Sequence, residues 1–185
     1  GSIYKSSEKP KNPDSTKASM GIYIFNRDKL AKYLAADEAD ENSSNDFGKN
    51  IIPAMLADGE KMYAYAFEGY WKDVGTISSL WEANMDLIGG EPNLDLADDK
   101  WRIFSRHSAE APQFVGGEAK IENSFITEGC EILGTVKNCV IGAGVKVCAG
   151  ATVCDSVLMG DAVIETGAVV EYSIIDSGVN IGEGA

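Results

Sequence analysis

Cys139-Val-Ile-Gly-Ala-Gly-Val-Lys-Val-Cys-Ala-Gly-Ala-Thr-Val-Cys-Asp155 can be written above Ser156 to Tyr172 and Ser173 to Ala185 with little conflict. That alignment decides the fold of the C-terminal half. Val140, Val157 and Ile174 share one column, and Ile141, Leu158 and Ile175 share the next. Val147, Ile164 and Ile181 form a third, followed by a glycine column (Gly150, Gly167, Gly184) and an alanine column (Ala151, Ala168, Ala185), with Val153 and Val170 completing the set. Within each repeat of 17 residues the aliphatic positions return every five or six residues, so each coil has three short sides. Such a coil needs one inward aliphatic per side and a small residue where the chain turns a corner. Ser124 to Asn138 fits as a shorter preceding coil, with Ile126 and Ile132 in the aliphatic columns. An ordinary sandwich would not hold its columns in register over two and a half repeats.

A solenoid cannot bury its terminal coils by itself. Because Ala185 falls within a repeat and Gly1 just before a strand-like stretch, the sequence reads as a piece of a longer protein, with a last coil frayed or covered by another chain. The four cysteines, Cys130, Cys139, Cys148 and Cys154, all lie in this half at spacings that match no zinc or redox motif. They read as small apolar residues.

Upstream, the texture changes near residue 100, which favours two domains in the 185 residues. Ile3 and Tyr4 suggest a strand, and Pro10 and Pro13 impose an extended link. Ala18 to Phe25 is β-branched and aromatic enough to predict a buried strand. Asn26 is placed to cap a helix over about Arg27 to Ala36. After the acidic stretch Asp37 to Asp46, read as a solvated connector, Phe47, Ile51, Met55 and Leu56 predict a second helix that begins or kinks near Pro53 and stops at Asp58-Gly59. Met62 to Phe67 alternates as a strand would, and Ile77 to Ile88 returns to helix with Thr76 or Ser78 as its cap.

Between those last two lies Tyr70-Trp-Lys-Asp-Val-Gly-Thr76, a carboxylate between bulky aromatics and a turn. Asp73 invites a metal-binding reading, and the competing one is a surface turn aspartate. The net charge of −13, from 29 acidic against 16 basic residues, argues against nucleic acid or a membrane surface as partner. No run of about 18 apolar residues and no leader pattern is present, so the expected setting is the cytoplasm.

Five stretches in order, Gly1-x-Ile3 with Glu8-Lys9-Pro10, Ser19 to Phe25, Asn42 to Lys49, Tyr70 to Thr76, and Leu80 to Asn84, make the chain resemble bacterial ADP-glucose pyrophosphorylases, also called glucose-1-phosphate adenylyltransferases. The resemblance covers essentially the whole chain. It implies an α/β plus β-solenoid fold: residues 1–92 as the C-terminal part of a Rossmann-like nucleotidyltransferase domain, 93–113 as a linker, and 114–185 as a left-handed β helix of hexapeptide-type repeats, truncated at its C-terminus. The family's glycine-rich nucleotide loop and its first metal-binding aspartate lie upstream of what is present, and no Gly-rich phosphate loop is visible before residue 60.

The implied reaction is attack by a phosphate oxygen of glucose 1-phosphate on the α-phosphorus of ATP, giving ADP-glucose and pyrophosphate for glycogen or a starch-like glucan. Alignment and charge neutralisation by Mg²⁺ and cations would carry it. By the same resemblance Asp73 matches the second metal-ligand aspartate and Lys9 the lysine that binds the sugar phosphate. Glu8 matches a sugar-hydroxyl acceptor, Ser19 a residue hydrogen-bonding glucose or its phosphate, and Gly21 a point of close approach to the ligand. Trp71 is expected to pack the motif. The family is typically a homotetramer with a sugar-phosphate or nucleotide allosteric effector. Asn45 and Asn50 stand where the family commonly has His and Asp, and Ser6 replaces a usual aromatic.

Three rivals remain: a sugar-1-phosphate nucleotidyltransferase of different base or sugar, a hexapeptide acyltransferase, and a non-catalytic regulatory or oligomerisation subunit. An acyltransferase of that kind uses a solenoid histidine as general base, whereas the single histidine, His107, precedes the first regular coil. With the nucleotide half absent, the 185 residues alone should give no turnover. ADP-glucose formed by this isolated chain from ATP, glucose 1-phosphate and Mg²⁺ would contradict that expectation.

Overall fold

The computed structural model describes residues 18–88, 94–96, 98–104 and 109–185. The expected strand at Ile3 and Tyr4, the link at Pro10 and Pro13, and the positions of Ser6, Glu8, Lys9 and His107 lie outside these residues. By packing, the chain forms two compact units, Gly1–Glu68 and Gly69–Ala185.

In the first unit Asn26 starts α1 (Arg27–Glu38) as expected, its side-chain oxygen accepting the Asp28 and Lys29 amides. The second helix begins as one wide π turn, Phe47–Ile51, and continues as α2 (Ile52–Ala57). Pro53 explains the change of pitch, because it has no N–H to donate into the preceding turn. The Ile51 and Ile52 amides instead reach five residues back, to Asp46 and Phe47. Tyr33, Ile51 and Met55 form a small core, with Phe25, Leu30 and Met62 packed against it.

The strands expected at Ala18 to Phe25 and Met62 to Phe67 are absent among the described residues. A strand is a property of a pair, and neither segment has a ladder partner in this unit. Their side chains show the consequence: Ile22 is 74% exposed, Ile24 100%, Tyr63 79% and Tyr65 88%. Phe25 and Met62 turn inward onto the small core, and Phe25 clusters with Tyr23 and Phe47, ring centroids 5.7–5.8 Å apart.

The second unit opens with α3 (Ile77–Met85), three residues shorter than expected, capped by Thr76 and Ser79 in a reciprocal box. From residue 114 the chain coils. The first coil carries β1 (Phe114–Val115), β2 (Lys120–Glu122) and β3 (Phe125–Ile126), and the second β4 (Glu131–Ile132), β5 (Thr135–Lys137) and β6 (Val140–Ile141). The third carries β7 (Lys146–Val147), β8 (Thr152–Cys154) and β9 (Val157–Leu158), and the fourth β10 (Val163–Ile164), β11 (Val169–Glu171) and β12 (Ile174–Ile175). A fifth begins with β13 (Asn180–Ile181). Corresponding strands stack into three all-parallel sheets, one per side.

The pairing register bears out the period: Val147 lies beside Ile164, Val153 beside Val170 and Leu158 beneath Ile175, each offset by 17 residues. Each coil sends one residue inward per side. In the second and third coils these are Ile132, Val136 and Ile141, then Val147, Val153 and Leu158, all essentially inaccessible to solvent. In the first coil the equivalents Val115 and Ile121 are 46% and 40% exposed, as an end coil's must be. The cysteines are free thiols; Cys130 and Cys139 are buried in the solenoid core, where they replace small aliphatics. Burial pushes the Cys139 thiol up to about 11.

The short coil has a specific cause. Ile132 pairs with Val147 at an offset of 15, but Thr135 pairs with Thr152 at 17, so two residues are missing at the corner between β4 and β5. Leu133 and Gly134 alone turn it. The equivalent corners of the later coils use Gly150, Gly167 and Gly184 at φ of +79°, +74° and +69°, the left-handed conformation that glycine adopts without strain. Gly134 serves differently, through close approach. A Cβ there would sit 2.5 Å from the Ala151 carbonyl oxygen and 2.7 Å from that of Cys148.

Both neighbours are backbone, so Gly134→Ala should destabilise the solenoid by about 1–3 kcal/mol, the range for forced overpacking. Denaturant unfolding checks this. Gly117→Ala, where nothing lies within 4 Å of the added carbon, is the matched control and should be near neutral.

Candidate functional site

Tyr70 to Thr76 is an extended loop that feeds directly into the capped end of α3. Two side chains of the loop reach the far end of that helix. The Tyr70 hydroxyl donates to Asp86 Oδ2 at 3.0 Å, and Lys72 Nζ donates to the same oxygen at 2.8 Å, with Glu82 Oε2 3.4 Å away. The Lys72 ammonium holds the Asp86 carboxyl below the usual carboxylate range, and Asp86 in turn raises Lys72. Partial burial, then Asp86, raises the Tyr70 phenol. Asp86 thus closes a clamp that straps the loop along its own helix.

Asp73 stands exposed between the clamp and the cap. Its Oδ1 accepts the Gly75 amide at 3.1 Å, folding the carboxylate back over the turn. A Cβ on Gly75 would lie 3.3 Å from that oxygen, so glycine leaves room for the fold-back. Among the described residues no group of three or more His, Cys, Asp or Glu forms a metal cage. The donor chemistry still fits Mg²⁺, which keeps several waters and takes one or two protein carboxylates together with substrate phosphates. Trp71, expected to pack the motif, is 46% exposed.

α3 is joined to the solenoid through Trp81. Its indole N–H donates to the Asp155 carbonyl oxygen at 2.8 Å, and its ring lies against Tyr172 with centroids 4.4 Å apart. The helical pattern over Ile77 to Ile88 does not by itself name a partner for Trp81 74 residues away. The available signal was a corner column, Asn123, Asn138, Asp155 and then Tyr172, spaced as the coils are.

In the first unit Ser19 and Gly21 are close together. Ser19 Oγ accepts the Gly21 amide at 3.2 Å and pairs with the Tyr23 hydroxyl at 3.0 Å. Gly21 has φ +71° and open space around its Cα, so a side chain there is strained by conformation rather than by crowding. Glu8 and Lys9 lie outside the described residues. The altered polar stretch around Asn45 and Asn50 is self-contained: Asn50 Oδ1 accepts Ser44 Oγ and the Asp46 amide, and Asn45 adopts φ +53°. An aspartate at 50 could accept the same bonds.

Residues 1–89 match the family model for nucleotidyl transferases, and residues 111–185 match that for the GlmU-like C-terminal hexapeptide. The solenoid is therefore of the hexapeptide, left-handed β-helix kind. Among curated relatives, the glucose-1-phosphate adenylyltransferase of Clostridium botulinum (strain Alaska E43 / Type E3) is 60% identical over 146 residues, 79% of this chain and 38% of that protein. The protein of the same name from Fusobacterium nucleatum is 56% identical over 79% of this chain and 38% of its own length. That from Desulforamulus reducens is 53% identical over 78% and 36%. The chain thus spans less than two fifths of the length of these relatives.

The clamp predicts a pH dependence. Asp86 is depressed in the folded state, so its contribution is complete above the unfolded carboxylate value of 3.8 and is lost as pH falls through its lower folded value. Asp86→Asn should loosen residues 70–76 at neutral pH and remove that acid-dependent step. Amide hydrogen exchange of the loop as a function of pH checks both.

Proposed function

We propose that this chain, whose residues 1–89 belong to the nucleotidyl transferase family and whose residues 111–185 form a hexapeptide solenoid, is the sugar-phosphate side of a glucose-1-phosphate adenylyltransferase. The single observation that carries the reading is Asp73, an exposed carboxylate fixed on a strapped and capped loop within a sequence 60% identical to proteins of that name. In the longer protein, ATP and glucose 1-phosphate give ADP-glucose and pyrophosphate.

Asp73 would hold Mg²⁺ through one oxygen, and the bound ion would neutralise charge on the transferring phosphates. The chain's own residues do the positioning. Gly75 N–H holds Oδ1 and so orients the carboxylate. The Tyr70 and Lys72 straps keep the loop from swinging away from α3. Lys72, spent on Asp86 and Glu82, is a structural cation rather than a phosphate ligand. By the family resemblance Lys9 would be the cation for the sugar phosphate, Glu8 would accept a sugar hydroxyl and Ser19 would bond glucose or its phosphate, with Gly21, in a left-handed turn, as the point of close approach to the ligand. The nucleophile is already an anionic phosphate oxygen, so none of these groups needs to act as a nucleophile or strong base. A homotetramer with a sugar-phosphate or nucleotide effector, working in the cytoplasm, completes the reading.

Asp73→Asn in the longer protein should lower ADP-glucose formation by roughly 10²-fold or more, as loss of one transition-state stabilising group does. A steady-state assay at saturating substrates and Mg²⁺ measures it. A variant with turnover within about threefold of the parent would remove Asp73 from the chemistry.

A further inference from the structure

The corner that receives Trp81 differs from those before it in a way the coil does not require. Asn123, Asn138 and Asp155 occupy successive coils at one corner, all in the left-handed conformation with φ of +42°, +51° and +47°. Their side chains form a ladder: Asn123 Nδ2 donates to Asn138 Oδ1 at 2.9 Å, and Asn138 Nδ2 to Asp155 Oδ1 at 3.1 Å. Asn and Asp suit that conformation because their short polar side chains bond locally. In the fourth coil the same position, φ +48°, is Tyr172. A bulky residue there is a backbone outlier, and it ends the ladder. Its ring lies against that of Trp81, with centroids 4.4 Å apart. The ladder's last member, Asp155, offers its carbonyl to the same indole. A strained aromatic and a backbone acceptor therefore converge on one side chain of α3.

We propose that Asp155 and Tyr172 form a seat for Trp81, and that Trp81 is a positioning residue fixing α3, and with it the Asp73 loop, to the solenoid. The path is continuous: solenoid corner to Trp81, α3 to Asp86 and Glu82, and these to Tyr70 and Lys72 on either side of Trp71. The solenoid is then part of the scaffold of the Asp73 loop as well as a stack of coils. The link to catalysis rests on the reading of Asp73 as a metal ligand; the seat itself does not.

The test is site-resolved amide hydrogen exchange on this chain, followed at the Gly75 and Thr76 amides, which bond to Asp73 Oδ1 and Ser79 Oγ, and at the solenoid amides of Glu131, Val140 and Lys146. Tyr172→Asn restores the residue type the corner prefers, so the coil should fold while the seat loses its ring. Exchange at Gly75 and Thr76 should rise about tenfold with the solenoid amides unchanged. Tyr172→Phe keeps the ring and should match the parent, and Trp81→Phe, which loses the N–H, should fall between. Unchanged exchange at Gly75 and Thr76 in Tyr172→Asn overturns the proposal, as does an equal rise throughout the solenoid. In the longer protein, Tyr172→Asn should also raise the Mg²⁺ needed for half-maximal rate severalfold. Loosened exchange with unaltered Mg²⁺ demand would uphold the seat and overturn the metal-ligand reading of Asp73.

Discussion

The structure depends on stacking coils in register, because no coil can bury its own interior. Strands of two or three residues have no independent stability. Each becomes a strand only when its counterpart in the next coil, 17 positions on or 15 across the short coil, lies beside it in parallel. The inward aliphatics then meet their counterparts above and below, and the middle coils become dry while the first remains half open. One consequence is that the corners carry sequence constraints of their own, beyond the inward aliphatics of the sides. They need a left-handed residue, a close backbone approach such as that at Gly134, or a side-chain ladder such as Asn123–Asn138–Asp155.

Function sits on that frame through a few polar contacts. A nine-residue helix with no fully buried side chain has little to hold it in place by burial alone. α3 gains its fixed position from a reciprocal cap at one end, a carboxylate clamp at the other and an aromatic seat between them. On the proposed reading Asp73 needs only to be presented, since nucleotidyl transfer between anionic phosphates relies on placement and charge neutralisation rather than on an activated side chain.

The period of 17, the inward columns and the 15-residue coil could be read from the sequence because a solenoid repeats its environment, so one residue type recurs wherever one environment does. The helices were legible from local chemistry: Asn26 and Thr76 cap within three residues of themselves. Ala18 to Phe25 and Met62 to Phe67 looked like strands, and by composition they are suited to be, but strand formation is decided by a neighbour that composition does not supply. The site divides in the same way. Asp73 could be singled out because its motif is local, whereas the left-handed turn at Gly21 is a backbone feature separate from the ligand approach expected of it. The Lys72–Asp86 clamp and the Trp81 seat escaped, since nothing in a helix's apolar stripe says that an indole N–H will find a carbonyl in another part of the chain. Tyr172 was the visible clue, the one aromatic in a column of Asn and Asp.

The activity proposed for the longer protein is the joining of glucose 1-phosphate to an adenylyl group. Its most direct test is the choice of nucleotide. Initial rates of sugar-nucleotide formation by the longer protein, with glucose 1-phosphate and Mg²⁺ held constant and ATP, UTP or GTP supplied in turn, should favour ATP by roughly a hundredfold or more in kcat/KM, because a site that hydrogen-bonds one base leaves polar groups unpaired against another. Equal or better use of UTP or GTP would contradict the account.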